Sequence, residues 1–318
     1  MEKRGPFFRI IDDVPRCPNV DPVLVRKALS FKAGKGDLVQ WSYPKSGTHW
    51  VQYIIQLILK EGDAVDTYDD FTKNTRPMEY VGFDDWTPTL ALRCFATHLP
   101  PQPDTLSDEA KYVYVARNPW DVCVSLSHMV TNLSIYRFED GTFDEFFECF
   151  LDKDFGYGSY FDHVASGYAL KDRPNVHFLT YEQLKREPRA TVLKLAYFLG
   201  DHYGRLLEGE DNALLDQILD SSSASRMKNV IVMNLGSKEW EAMMTRNNMT
   251  CKDGYGGDSS KYGIVRKGQI GDWKNYFKPS QLERLERKIR AEGEKASFMH
   301  LWADIREEAL QAAGLQTK

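Results

Sequence analysis

The chain has 318 residues, 42% of them hydrophobic and 13% aromatic, which is enough apolar surface for a large buried core. Its formal net charge of −5 argues against broad nucleic-acid binding but leaves room for a local basic site that takes an anionic ligand. No apolar run reaches the length of a membrane span, about 18 residues, and residues 1–14 do not read as a signal peptide, so a soluble, cytoplasmic protein with no membrane partner is expected.

In chain order, 37–43 (DLVQWSY) predicts a short strand, and Trp50, Val51, Ile54, Ile55 and Ile58 predict the helix that follows the turn 44–48. Residues 92–96 predict a second short strand, leading into Thr97-His98-Leu99-Pro100. The run 111–116 (KYVYVA) predicts a third, followed by Arg117-Asn118-Pro119 and a helix from Trp120 to about Val130. Residues 176–179 begin a further unit whose helix starts near Pro188. Residues 254–271 are Gly-rich and basic, a long loop of the kind that carries function, and 281–291 predict a charged amphipathic helix. Strands alternating with helices imply an α/β fold: a single domain over 1–318 with a central, mostly parallel sheet flanked by helices. In such sheets ligands bind at the carboxyl ends of the strands, so the turns at 44–48, 117–121 and 180–182 are expected to face one cleft. Five cysteines, Cys17, Cys94, Cys123, Cys149 and Cys251, lack a CxxC pair, which fits reduced thiols and no metal site.

The turn Tyr43-Pro44-Lys45-Ser46-Gly47-Thr48-His49-Trp50 joins strand to helix and predicts a P-loop-like anion site. The amides of Ser46, Gly47 and Thr48 stand at a helix N-terminus, whose free donors and dipole favour phosphate or sulfate. Lys45 adds a mobile cation for a leaving-group oxygen, and Gly47 admits close approach of the backbone. The order is not Walker A, because here Lys precedes the only Gly, and this weighs against a kinase. An ordinary turn and helix cap is the plain alternative.

The blocks YPKSGTHW at 43–50, VYVARNPWDVCVS at 113–125 and RKGQIGDWK at 266–274, with FATHLP at 95–100 and FLTYEQLKREP at 178–188, resemble the cytosolic sulfotransferases in order and spacing. The resemblance implies 3′-phosphoadenosine 5′-phosphosulfate (PAPS) as cofactor, 3′-phosphoadenosine 5′-phosphate (PAP) as product, no metal, and a small hydroxyl or amine acceptor. It gives Lys45, Ser46, Gly47, Thr48 and Trp50 to the 5′-phosphosulfate and adenine side, with Trp50 stacking on the base; His49, inside the same run, is counted with the cofactor-binding residues. Arg117 and Ser125 match contacts to the 3′-phosphate, Arg266, Lys267 and Gly268 the loop that closes over it, Tyr181 an adenine contact, and Ser222 with Ser223 a further nucleotide segment. Taken singly, Arg117 reads equally well as an ion-pair residue and Ser125 as a plain helix residue. The resemblance makes His98 the base, a role that an imidazole of near-neutral pKa suits. In-line displacement is then expected, with Lys45 stabilising the departing oxygen.

Two positions depart from the family pattern. Ala96 stands where a lysine two residues before the His is usual, and Ala224 where a Phe usually packs on the base. The first raises a second reading, a PAPS-binding protein without catalysis; the second predicts weaker base stacking. Phe83, Trp86, Met129 and Phe138 read equally as lining for a phenolic acceptor or as core, and Asp84 and Asp85 as partners for a catecholamine ammonium or as a solvated loop. Lys274 and Glu283 match the ends of a dimerisation segment common in the family, but Lys278-Pro279 replaces its central Thr-Val, so a monomer, or a dimer through another surface, is expected.

Overall fold

A computed structural model describes residues 4–84, 86–152, 155–235 and 249–315. Its strands are β1 (Arg9–Ile11), β2 (Val14–Arg16), β3 (Asp37–Ser42), β4 (Thr75–Pro77), β5 (Arg93–Thr97), β6 (Lys111–Ala116), β7 (Val176–Thr180), β8 (Val232–Asn234) and β9 (Lys261–Gly263). Five of them form one parallel sheet in the order β4-β5-β3-β6-β7, while β1-β2 and β8-β9 are small antiparallel pairs. Every residue of β3 is buried, as expected for a central parallel strand covered by helices on both faces. Trp41 stacks on Tyr112 at 4.6 Å and Tyr114 on Phe178 at 5.4 Å, tying β3 to β6 and β6 to β7 through their side chains.

Each polar residue inside β3 makes at least one side-chain hydrogen bond, although the buried Gln40 Oε1 has none among the described residues. Asp37 takes two bonds from Arg93 on β5, at 2.7 and 2.9 Å. Gln40 donates to the Thr48 carbonyl at 3.0 Å, and the Ser42 hydroxyl bonds that of Thr48 at 2.7 Å. These last two bonds fix the start of the helix Thr48–Leu59 against the strand that feeds it, so buried polar groups hold the anion turn in place.

The helices after β6 and at the carboxyl end run Pro119–Asn132 and Pro279–Ala291, a residue or two longer than predicted. Past β7, Tyr181–Arg186 is a short helix with a capping box between Thr180 and Gln183, and Pro188–Leu199 follows it. The edge strand β4 carries Pro77, which an edge tolerates because one side of its backbone needs no ladder bond. Lys278 pairs with Asp144, and Lys274 with Glu308 at 2.8 Å, so both lysines of the degenerate dimerisation segment are engaged within the chain. No helix among the described residues is long and apolar enough to cross a membrane, and all five cysteines are buried free thiols.

Candidate active site

The carboxyl ends of β3, β5, β6 and β7 open onto one cavity, and the three expected turns meet there. Lys45, Gly47, Thr48, His49 and Trp50 line it, as do His98, Arg117, Ser125, Tyr181, Ser222, Arg266, Lys267 and Gly268. Ser223 and Ser46 are the exceptions among the sequence candidates: the Ser223 hydroxyl bonds that of Ser225 at 3.2 Å, outside the cavity lining, and Ser46 is fully buried. The Ser46 hydroxyl has no hydrogen-bond partner among the described residues, and its amide donates to the Tyr43 carbonyl at 3.2 Å. The expected Ser46 amide donor is therefore already used in closing the turn, which leaves Gly47 and Thr48 to open the helix.

Two residues of that turn lie in the left-handed region, Lys45 at φ 66° and Gly47 at φ 103°. A β-carbon at 47 would come within 2.9 Å of the Tyr181 ring, so only glycine allows Tyr181 to lie over the turn. For Lys45 the conformation costs about 1–3 kcal/mol, a strain that such sites retain where it aims a side chain. Burial, then the nearby Arg117 and Arg266, lower the Lys45 ammonium to about 8. Three mutually repelling cations held in one cavity are a site prepared for an anion.

Arg117 lies 4.3 Å over the Tyr181 ring and donates to the carbonyls of Lys45 at 3.3 Å and Gln269 at 2.9 Å, while its Nε is buried without a partner among the described residues. Its neighbour Asp121 accepts the amides of Gly271 at 2.9 Å and Trp273 at 3.2 Å, anchoring the basic loop to the helix after β6. In that loop Arg266 and Lys267 both pair with Asp272, Lys267 at 2.7 Å. Burial works to raise the Asp272 carboxyl, but the bonds from Lys267 and Arg266 outweigh it and hold it at about 2. Gly268, at φ 65°, approaches Ala224 so closely that a β-carbon there would lie 2.9 Å from the Ala224 methyl. The Ser125 hydroxyl faces the cavity with no hydrogen bond among the described residues. Trp50 meets Tyr181 edge to face at 5.2 Å and carries Lys185 over its ring at 5.1 Å.

His98 ends β5. Its Nδ1 lies 2.8 Å from the Ser42 carbonyl, which can only accept, so Nδ1 carries the proton and Nε2 of the neutral ring is a free base. The His98 amide donates to the buried Glu79 carboxylate at 2.7 Å. From the other side, His163 Nε2–H donates to the His98 carbonyl at 3.1 Å, and Tyr114 OH to His163 Nδ1 at 2.7 Å. Burial lowers the His98 pKa below its usual value of about 6.5, against the opposing pull of Glu79 and the Ser42 bond. The ring is therefore neutral and ready to accept a proton at pH 7.

Sequence reasoning missed several cavity residues. Tyr80, Tyr136 and Tyr157 join hydroxyls at 3.3 and 3.0 Å beside His98, and Lys185 adds a cation near Trp50. Lys185 stands inside a block that carried the resemblance; the tyrosines are scattered along the chain with no local signal. Of the four residues considered for the acceptor, Phe83 and Phe138 are core, and Trp86 packs on Phe95 and donates to the Lys73 carbonyl; of the four, Met129 alone lines the cavity. Asp84 is exposed and paired with Lys27, away from the cavity, and Asp85 lies outside the described residues.

Residues 35–300 match the family model described as the sulfotransferase domain. Sulfotransferase 1C2 of Oryctolagus cuniculus is 31% identical over 85% of this chain and 87% of its own length. The amine sulfotransferase of the same organism is 31% identical over 91% of each chain. Among solved structures, mouse sulfotransferase SULT7A1 complexed with PAP superposes with a TM-score of 0.64 at 24% identity, covering 96% of this chain and 99% of that one, a likeness of fold.

Proposed function

The chain belongs to the sulfotransferase domain family, and on that premise we propose that it moves the sulfuryl group of PAPS to the hydroxyl or amine of a small acceptor, with His98 as base. The observation that carries this reading is the convergence of Lys45, Arg117 and Arg266 on one cavity with an imidazole whose Nε2 is free. The donor set suits a ligand with two separate anionic groups. The turn amides and Lys45 form one cluster; Arg117, Ser125, Arg266 and Lys267 form the other, and the buried Nε of Arg117 has no acceptor among the described residues. Trp50 and Tyr181 supply aromatic surface for a base, less than the family average because Ala224 adds only a methyl.

PAPS supplies an activated sulfuryl group with a good leaving group. His98 Nε2 takes the acceptor proton as that oxygen or nitrogen attacks sulfur, and Lys45 stabilises negative charge on the bridging oxygen that departs. Binding through the remote 3′-phosphate holds the sulfur in attack geometry. Buried thiols and the lack of a long apolar helix among the described residues support a cytoplasmic location. Incubation with PAPS and a panel of phenols, catecholamines and amines tests the reading: PAP and a sulfated acceptor are expected in equal amounts. Ala96 favours one alternative, a PAPS-binding protein without turnover, which the same assay would reveal as PAP binding with no product.

Arg117→Ala and Arg266→Ala are expected to weaken PAPS far more than adenosine 5′-phosphosulfate, which lacks the 3′-phosphate. Calorimetry on both nucleotides checks this, and equal losses for the two would remove these residues from the 3′-phosphate site. For assembly, the replacement of Thr-Val by Lys278-Pro279 supports a monomer or a dimer through another surface, since Pro279 offers no N–H and Lys278 is already paired with Asp144. Light scattering at micromolar concentration checks it; a dimer abolished by charge reversal at Lys274 would show that the degenerate segment still associates.

A further inference from the structure

We propose that His49 is a catalytic residue of this transfer, donating its imidazole N–H to a sulfuryl oxygen on a cavity wall where Ala96 presents only a methyl group. The inference rests on the sulfuryl-transfer reading above. His49 is the second residue of the helix Thr48–Leu59 and lines the cavity with Lys45 and His98. Its ring stacks on Phe71 at 5.6 Å and Tyr68 at 6.4 Å, with interplanar angles of 23° and 26°, so two aromatic rings hold its plane. Neither of its nitrogens makes a hydrogen bond among the described residues. The imidazole beside it, His98, commits its Nδ1 to the Ser42 carbonyl, and His163, which packs behind His98, is bonded through both nitrogens to Tyr114 and the His98 carbonyl. A half-buried ring, fixed in plane and with both polar atoms unused, is a donor awaiting an acceptor.

Its neighbours say which acceptor. The charges of Lys45 and His98 both act on the ring, so His49 stands within reach of the cation proposed for the leaving oxygen and of the base proposed for the attacking one. The sulfur passes between those two groups. Ala96 is 4% exposed, paired in register with Gln40 on β3 and Pro77 on β4, and contributes no donor to that wall. Burial, then Lys45 and His98, hold the His49 pKa at about 3, so the ring is neutral at pH 7 and offers one N–H. It moves no proton. The acceptor proton goes to His98 Nε2, the bond from the acceptor atom to sulfur forms, and the bond from sulfur to the bridging oxygen breaks with its electron pair left on the 5′-phosphate. Through that change His49 stabilises charge on the non-bridging sulfuryl oxygens, a donor aimed where charge is held in the transition state.

The test compares wild type with His49→Phe, which keeps the aromatic stack and removes the N–H, and His49→Asn, which keeps a donor. PAP carries no sulfuryl group, so PAP affinity by calorimetry is expected to stay within about twofold of wild type in both variants, which also reports intact folding. His49→Phe is expected to bind PAPS about threefold to tenfold more weakly and to lose about 10²-fold in kcat, with His49→Asn between it and wild type. Adding Ala96→Lys to His49→Phe is expected to recover part of the lost kcat. PAP affinity falling in parallel with kcat would make His49 an ordinary phosphate contact, and unchanged kcat in His49→Phe would remove it from the reaction; either overturns the proposal. A wild type that binds PAP yet sulfates no acceptor overturns the underlying reading instead.

Discussion

His98→Ala is expected to lower kcat by about 10²–10⁴-fold, the range for loss of a positioned general base, while PAP affinity stays near wild type. The size follows from how completely the ring is prepared. The Ser42 carbonyl fixes the tautomer, Glu79 and His163 hold the backbone on both sides, and burial keeps the ring neutral at pH 7. Because the His98 pKa is lowered, the base form persists as pH falls, and the acid limb of kcat/KM should lie below pH 6.5. Steady-state kinetics with one phenolic acceptor read both quantities. A variant that retains near wild-type kcat would show that the acceptor loses its proton elsewhere, and the His98 assignment would fail.

Lys45→Ala is expected to cost about 10²–10³-fold in kcat, the usual loss when one preorganised group facing developing charge is removed. Its ammonium is held in a left-handed turn and destabilised by burial, Arg117 and Arg266, all of which a bound anion relieves. The wild-type pH profile carries the same information. Lys45 of the free chain loses its charge as pH rises through about 8, so kcat/KM for the donor should fall above that value. The alkaline limb should disappear in Lys45→Ala. A limb of unchanged position in that variant would assign it to another group.

The strand–turn–helix units were legible because β6 is a nearly continuous apolar run and β3 and β7 each hold three apolar residues within a short segment, and the residues after them carry distinctive Lys, Gly, Arg and Pro signals. Where ligand chemistry sits at strand ends, recognising the strand locates the site. The Ser46 amide was misread because its bond to Tyr43 depends on Lys45 taking a positive φ, which no residue type at 45 announces. Phe83 and Phe138 stand close in sequence to plausible acceptor segments but pack into the core, since apolar side chains carry no mark of which surface they cover. The Tyr80–Tyr157–Tyr136 chain of hydroxyls is assembled from three separate segments, so only the fold brings it beside His98. The short helix Tyr181–Arg186, by contrast, was signalled by Thr180 and Gln183 at capping-box spacing and was still taken for a turn.

The most direct test of sulfuryl transfer from PAPS is a single-turnover reaction of the whole chain with PAPS and a phenolic, catecholamine or amine acceptor, quantifying both products by mass spectrometry. PAP and sulfated acceptor are expected in one-to-one ratio, with both products lost together in His98→Ala and Lys45→Ala. Tight PAP binding with no sulfated product from any of the three acceptor classes would contradict the account.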